Sequence, residues 1–175
     1  KRCVLNGNLK ATHDEDCYTV ADVIVVDVHL DIPFKDDEPD LNFSGLINAI
    51  TSITTRAKAG ALIIVETTVP PGTCEKIVIP TVNQILKDRG MPEDSIYIAH
   101  SYERVMPGKD YLSSIVNFWR VFAGKNKESG DKCEEFLGKV INIDEYPLTR
   151  LTSTTASETA KVLENTYRAV NIALM

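Results

Sequence analysis

Ala61-Leu62-Ile63-Ile64-Val65-Glu66 runs directly into Thr67-Thr68-Val69-Pro70-Pro71-Gly72-Thr73. A helical period follows from about Thr73 to Arg89, and Gly90 closes it. A six-residue strand run with Ile-Ile-Val at its centre, a stiff Pro-Gly turn and a helix are the parts of one strand–loop–helix unit. Pro80 lies inside the helical period and is expected to kink it.

The same alternation recurs on both sides. Ala21 to Val28 reads as a buried strand, followed by an acidic loop holding Asp31, Asp36, Asp37 and Asp40. Phe43, Leu46, Ile47, Ile50, Ile53 and Ala57 then recur at helical spacing. Ser95 to Ser101 and Trp119 to Ala123 read as further strands, and Leu148 to Leu151 as a short one. Glu128 to Ile141 reads as a helix. The last segment, Thr155 to Met175, reads as the strongest helix, with Thr155 and Glu158 at capping-box spacing. Its stripe is Ala156, Ala160, Leu163, Tyr167, Val170 and Leu174. Strands alternating with helices imply an α/β fold with a parallel sheet covered on its faces. Ligands in such folds bind at the carboxyl ends of the strands. The loops after Val28, Glu66 and Ser101 are therefore the places to look.

Composition removes several alternatives. In 175 residues, 43% are hydrophobic and 25% charged, which is globular and not disordered. Apolar runs such as Val23 to Val26 and Ala61 to Val65 are far short of the roughly 20 residues of a membrane span. A formal charge of −6 argues against nucleic acid as partner. The four cysteines (Cys3, Cys17, Cys74 and Cys133) form no C-x-x-C pair, so reduced thiols of a cytoplasmic protein fit better than zinc or disulfides. The acidic runs at 13–16 and 36–38 lack calcium-loop spacing, so no metal is expected. His29 and Asp31 stand out because they follow a strand end.

Three constellations could carry chemistry. In the 66–73 loop, the hydroxyls of Thr67 and Thr68 can meet a ligand, and the first amides of the next helix favour anions. The plainer reading is a rigid turn. In the 100–109 segment, Glu103 can move a proton or position a water. Arg104 and Lys109 can meet an anionic substrate, unless the segment is simply a solvated loop. On the final helix, Lys161 and Asn165 share a face with Arg168, where the ammonium could hold an oxyanion. An exposed polar helix face is the alternative.

Together the three segments resemble a known family. Glu66 to Thr73 looks like the E-S-T-V-P-P-G-T loop of the UDP-glucose/GDP-mannose dehydrogenases. Ser101 to Gly108 resembles their S-P-E-R-x-x-P-G loop, and Ala160 to Leu174 their A-K-x-x-E-N-x-x-R-x-V-N-I-A-L helix. The likeness runs from Ala21 onward and is strongest to the branch that acts on UDP-N-acetylmannosamine or UDP-N-acetylglucosamine.

The resemblance implies the following. The cofactor is NAD. The sugar C6 alcohol is oxidised to a carboxylate in two hydride transfers, through a cysteine thiohemiacetal and thioester. Glu103 assists thioester hydrolysis. Lys161 holds the oxyanion beside Asn165. Thr68 orders a water and, with Thr67, contacts the cofactor. Arg104 and Lys109, with Lys161 and Asn165, lie by the UDP-sugar.

It also implies that residues 1–152 are part of the Rossmann-like NAD domain, its second half, and that 153–175 begin a long central helix that supports a homodimer. The glycine fingerprint of the phosphate site is expected before Lys1 and the nucleophilic cysteine after Met175. Where the family has V-P-T-P, this chain has Val28-His29-Leu30-Asp31, and Tyr102 replaces a proline. A non-catalytic nucleotide-binding or dimerisation module of the same fold is the rival reading. Another is a more distant relative among the 6-phosphogluconate and hydroxyacid dehydrogenases. The central expectation is spatial: Thr68, Glu103 and Lys161 gather at one cleft.

Overall fold

The computed structural model describes residues 2–30, 33–35, 37–105 and 108–175. A short helix α1 (Arg2–Leu5) and a 3-10 turn (Glu15–Thr19) precede strand β1 (Val23–Val26). A small hairpin, β2 (Phe34–Lys35) and β3 (Glu38–Pro39), follows, then α2 (Ser44–Arg56) and β4 (Leu62–Val65). A π-helical turn (Cys74–Val78) leads into α3 (Ile79–Asp88) and β5 (Tyr97–Ser101). The remaining elements are α4 (Tyr111–Val116), β6 (Val121–Gly124), α5 (Lys127–Val140), β7 (Thr149–Arg150) and α6 (Thr154–Ala173).

The main sheet has the order β1-β4-β5-β6-β7. β4 is an inner strand: all four residues are buried, because both faces are covered. Period two sorts its side chains. Ile63 and Val65 join the core under α2 and α3, while Leu62 and Ile64 join the core under α5. The sequence pattern implied parallel strands, and β1, β4 and β5 are parallel. β6 is the exception: it runs antiparallel to β5, with Ser101 opposite Phe122. Among the described residues of the segment between them the one regular element is the short α4, and β6 starts beside the end of β5. A parallel return needs a crossover that spans the sheet, and here α5 supplies one, making β7 parallel to β6.

Three local expectations change. Pro80 stands not inside α3 but at its second position. The wider π-turn before it, closed by the Ile79 N–H on the Cys74 carbonyl, takes up the irregularity. The cap of α6 is Ser153, whose hydroxyl accepts from Ala156 N at 3.1 Å, and not Thr155. Glu158 serves no capping box; it leaves its own helix to reach the 66–73 loop. The hairpin, α1 and α4 have no counterpart in the periodicity, being two to six residues long.

One close contact fixes α5 against the sheet. A Cβ on Gly124 of β6 would sit 2.2 Å from the Gly130 nitrogen, and one on Gly130 would sit 2.0 Å from the Arg150 guanidinium. Only glycine permits that approach.

Candidate functional site

The carboxyl ends of β1, β4 and β5 open on two adjoining clefts. The first, about 380 Å³, is lined by Asp27, Val28, His29, Leu30, Thr67 and Thr68. The second, about 270 Å³, includes Asp27, Glu66, Glu103, Tyr111 and Arg120. Asp27 is common to both, so the clefts share a wall.

The two threonines after β4 divide their work. Thr67 is buried, and its hydroxyl accepts from Val28 N and donates to the Val28 carbonyl, both at 2.9 Å. That hydroxyl is spent on the backbone and holds the end of β1 against β4. Thr68 is exposed and lines the first cleft. The geometry therefore separates the pair expected to touch the cofactor: Thr67 shapes the edge and Thr68 faces out from it.

The amides that begin the next helix are already occupied by an anion, which the chain itself supplies. Glu158 of α6 accepts from Gly72 N at 2.5 Å and Cys74 N at 2.7 Å. Gly72 adopts φ +91°, a left-handed conformation that suits glycine. Burial raises the Glu158 pKa, against the pull of those amides.

Past β5, Glu103 turns its carboxylate back to accept from Val105 N. Its backbone carbonyl accepts from Lys161 Nζ at 2.9 Å. The same ammonium lies 5.1 Å from the Tyr102 ring centre, a cation–π approach. Burial lowers the Lys161 pKa, Glu103 opposes that shift, and Arg104, Arg168 and Arg120 reinforce it. Arg104 ion-pairs with Glu164 of α6 and lies 4.7 Å over the Phe118 ring. So the 101–105 segment is fastened to α6 at two points. Asn165 is exposed one turn beyond Lys161, and Lys109 is exposed in the outer loop.

Of the three residues expected at one cleft, Lys161 reaches Glu103 through its backbone carbonyl and not its carboxylate. Thr68 opens on the neighbouring cleft, across the Asp27 wall. Asp31, Asp36, Met106 and Pro107 lie outside the described residues. Among the described residues no cluster of His, Cys, Asp and Glu could hold a metal. No helix among them is long and apolar enough to cross a membrane.

Sequence reasoning missed a second charged centre. Arg120, 5% exposed and immediately before β6, pairs with Glu66 at 2.5 Å. Burial raises the Glu66 pKa; Arg120 opposes this, and Glu103 and Asp27 add to it. Arg120 is one of five basic residues between Glu103 and Lys127, and nothing local marks it as buried. His100 was also passed over. Its Nδ1 lies 2.8 Å from Ser157 Oγ, tying β5 to the first turn of α6.

The two buried cysteines are not activated nucleophiles. Cys74 and Cys133 are buried. Burial pushes the Cys133 thiol up to about 12, and burial with the Glu158 carboxylate pushes Cys74 up as well.

Comparison with known proteins agrees with this architecture. Residues 1–141 match the model of the UDP-glucose/GDP-mannose dehydrogenase family, NAD binding domain. The chain is 33% identical over 168 residues to a UDP-N-acetyl-D-mannosamine dehydrogenase of Pyrococcus horikoshii, covering 96% of this chain and 37% of that protein. It is 34% identical over 174 residues to a Methanocaldococcus jannaschii protein of the same name, covering 99% of this chain and 37% of that one. The structure of UDP-D-ManNAc dehydrogenase from Pyrococcus horikoshii superposes with a TM-score of 0.83 at 31% identity, over 99% of this chain and 39% of that one. The chain thus spans little more than a third of these relatives.

Proposed function

The chain belongs to the UDP-glucose/GDP-mannose dehydrogenase family, and on that premise we propose that the full-length protein oxidises the C6 alcohol of a UDP-sugar to the uronate in two hydride transfers. UDP-N-acetylmannosamine is the first substrate to try, because the archaeal relatives above carry that name. The product would serve polysaccharide precursor synthesis.

The observation that carries the reading is the meeting of Lys161 and Glu103, 58 residues apart in sequence, at the carboxyl edge of the sheet. An ammonium held there by a carbonyl can stabilise an oxyanion developing at the sugar C6. The nearby Glu103 carboxylate can position a water for hydrolysis of the thioester. Asn165 would present its amide beside Lys161, and Arg104 and Lys109 would meet the anionic nucleotide end of the sugar.

NAD fits the first cleft in kind. It is a polar crevice at the β1/β4 strand ends, where dinucleotides bind in this fold. Thr68 and the backbone of residues 28–30 would hold it, and when bound it supplies the hydride acceptor. Leu30 offers no hydroxyl there, so Thr68 is the cleft's exposed hydroxyl on that edge.

A homodimer belongs to the same reading. Leu163, Tyr167, Val170 and Leu174 are all more than half exposed along α6, an apolar stripe that a second copy would cover.

The test is NADH formation by the full-length protein with NAD⁺ and UDP-N-acetylmannosamine, at two NADH per sugar. A panel including UDP-N-acetylglucosamine and UDP-glucose identifies the sugar. No NADH with any of them overturns the reading in favour of a binding or dimerisation module.

A further inference from the structure

Glu158 is fully buried, yet among the described residues no ion pair reaches it. A carboxylate without a cation in a dry site must be compensated by hydrogen bonds. Here the compensation comes from the loop that carries Thr68. Oε2 accepts from Gly72 N and Oε1 from Cys74 N, at 2.5 and 2.7 Å. Both amides belong to the start of a helix, where the backbone dipoles favour negative charge.

The rest of the loop is pinned elsewhere. Thr67 is bonded to the end of β1, and Val69 is 2% exposed within the core. Thr73 turns onto the Pro70 carbonyl, inside the loop. Among the described residues, the hydrogen bonds that tie the helix side of the loop to another part of the molecule are therefore those of Glu158. Between Thr68 and Gly72 stand Val69, Pro70 and Pro71, and two consecutive prolines transmit a displacement rather than absorb it. Glu158 is also three residues before Lys161, one turn away along the same side of α6.

We propose that Glu158 is a positioning residue: by gripping the Gly72 and Cys74 amides from α6, it sets the Thr68 loop in register with the helix that carries Lys161. It touches neither cofactor nor substrate and acts through those two amides. The loop and α6 then move as one body. The cofactor consequence rests on the functional reading above; the grip itself does not.

The site demands a carboxylate. A glutamine of the same shape keeps one acceptor and turns an N–H toward the other amide, so one bond is lost and a donor faces a donor. The experiment compares full-length wild type, Glu158→Gln and Ser157→Ala. Ser157→Ala removes the neighbouring bond between α6 and His100 and leaves both loop amides bonded. Two quantities are read: amide hydrogen exchange at Gly72 and Cys74, and the affinity for NAD⁺.

In Glu158→Gln, exchange at the two amides should accelerate about tenfold or more, the scale of one charge-assisted hydrogen bond. The dissociation constant for NAD⁺ should rise, with KM for NAD⁺ changing more than kcat. Ser157→Ala should change neither. If Glu158→Gln does not fold, Glu158→Asp, one methylene shorter, retracts the charge from the amides and is read the same way. Wild-type exchange at both amides, equal acceleration in Ser157→Ala, or unchanged NAD⁺ affinity despite faster exchange overturns the proposal. Wild-type protein that binds no NAD⁺, with exchange still responding to Glu158→Gln, upholds the grip and overturns the functional reading instead.

Discussion

The Lys161 ammonium donates to the backbone carbonyl of Glu103 at 2.9 Å, joining the long α6 helix to the loop after β5. Because the contact is to a carbonyl, it leaves the Glu103 carboxylate free of the lysine and bonded locally to Val105 N. The two charges are thus set side by side without neutralising each other through a direct bond. In the full-length protein, Lys161→Ala and Glu103→Gln should each lower kcat by about a hundredfold or more, the scale for losing a preorganised charge or a positioned acid/base. Steady-state NADH production measures it. Near-wild-type rates in both variants would remove both roles.

Arg120 and Glu66 make a different kind of pair. Both are largely withdrawn from solvent, with side-chain exposures of 6% and 19%. Removing one partner strands the other. Arg120→Met should cost about 3 kcal/mol of unfolding free energy, because the Glu66 carboxylate is left without its cation. Adding Glu66→Gln should recover a large part of that loss. Urea unfolding of the two single variants and the double variant gives the coupling; additive losses would show that the pair is not energetically linked.

Alkylation should divide the four thiols two and two. Cys3 and Cys17 are exposed, while Cys74 and Cys133 are buried. Iodoacetamide on folded protein should label the first two, and the other two only after denaturation. Mass spectrometry of peptides resolves the four sites. Rapid labelling of Cys133 in the folded state would contradict its place on the buried face of α5, against the sheet.

Close packing makes its own prediction at Gly130. An added methyl would overlap the Arg150 guanidinium and force it away from Asp131, which it meets at 2.5 Å. Gly130→Ala should destabilise by about 1–3 kcal/mol through overpacking. Thermal unfolding reads the change, and a neutral result would mean that Arg150 relocates freely.

Much of this architecture was legible in the chain. Apolar runs such as Leu62 to Val65 have no place but the inside of a covered sheet, and the Pro-Gly loop after them marks the ligand edge. The direction of β6 was not legible, because Val121 to Gly124 has the same composition whichever way it runs. What shows it is the register: Phe122 lies opposite Ser101, so the chain re-enters the sheet at the edge it has just left. Glu158 was legible only as a local cap, since spacing rules see neighbours three residues away and not a loop more than eighty residues upstream. Arg120 hid for the same reason: its partner Glu66 is 54 residues distant. Thr67 and Thr68 are alike in sequence, and only the backbone of β1 tells which hydroxyl is spent.

His100 carries the pH prediction. It is fully buried in β5, with Nδ1 on Ser157 and no partner on Nε2 among the described residues. Burial, with the Lys161 ammonium adding to it, lowers its pKa from 6.5 to about 4. The folded protein therefore holds this imidazole neutral at a pH where the unfolded chain would protonate it. Unfolding takes up a proton between those two values, so stability is full above pH 6.5 and is lost as pH falls toward 4. Over the whole interval the loss from this one group amounts to about 3 kcal/mol. Unfolding free energies at pH 7.5 and 4.5 should differ more in wild type than in His100→Gln, which keeps a polar group but cannot titrate there. An NMR titration of the ring should show its midpoint near 4, and a midpoint near 6.5 would place the imidazole in water and detach it from α6.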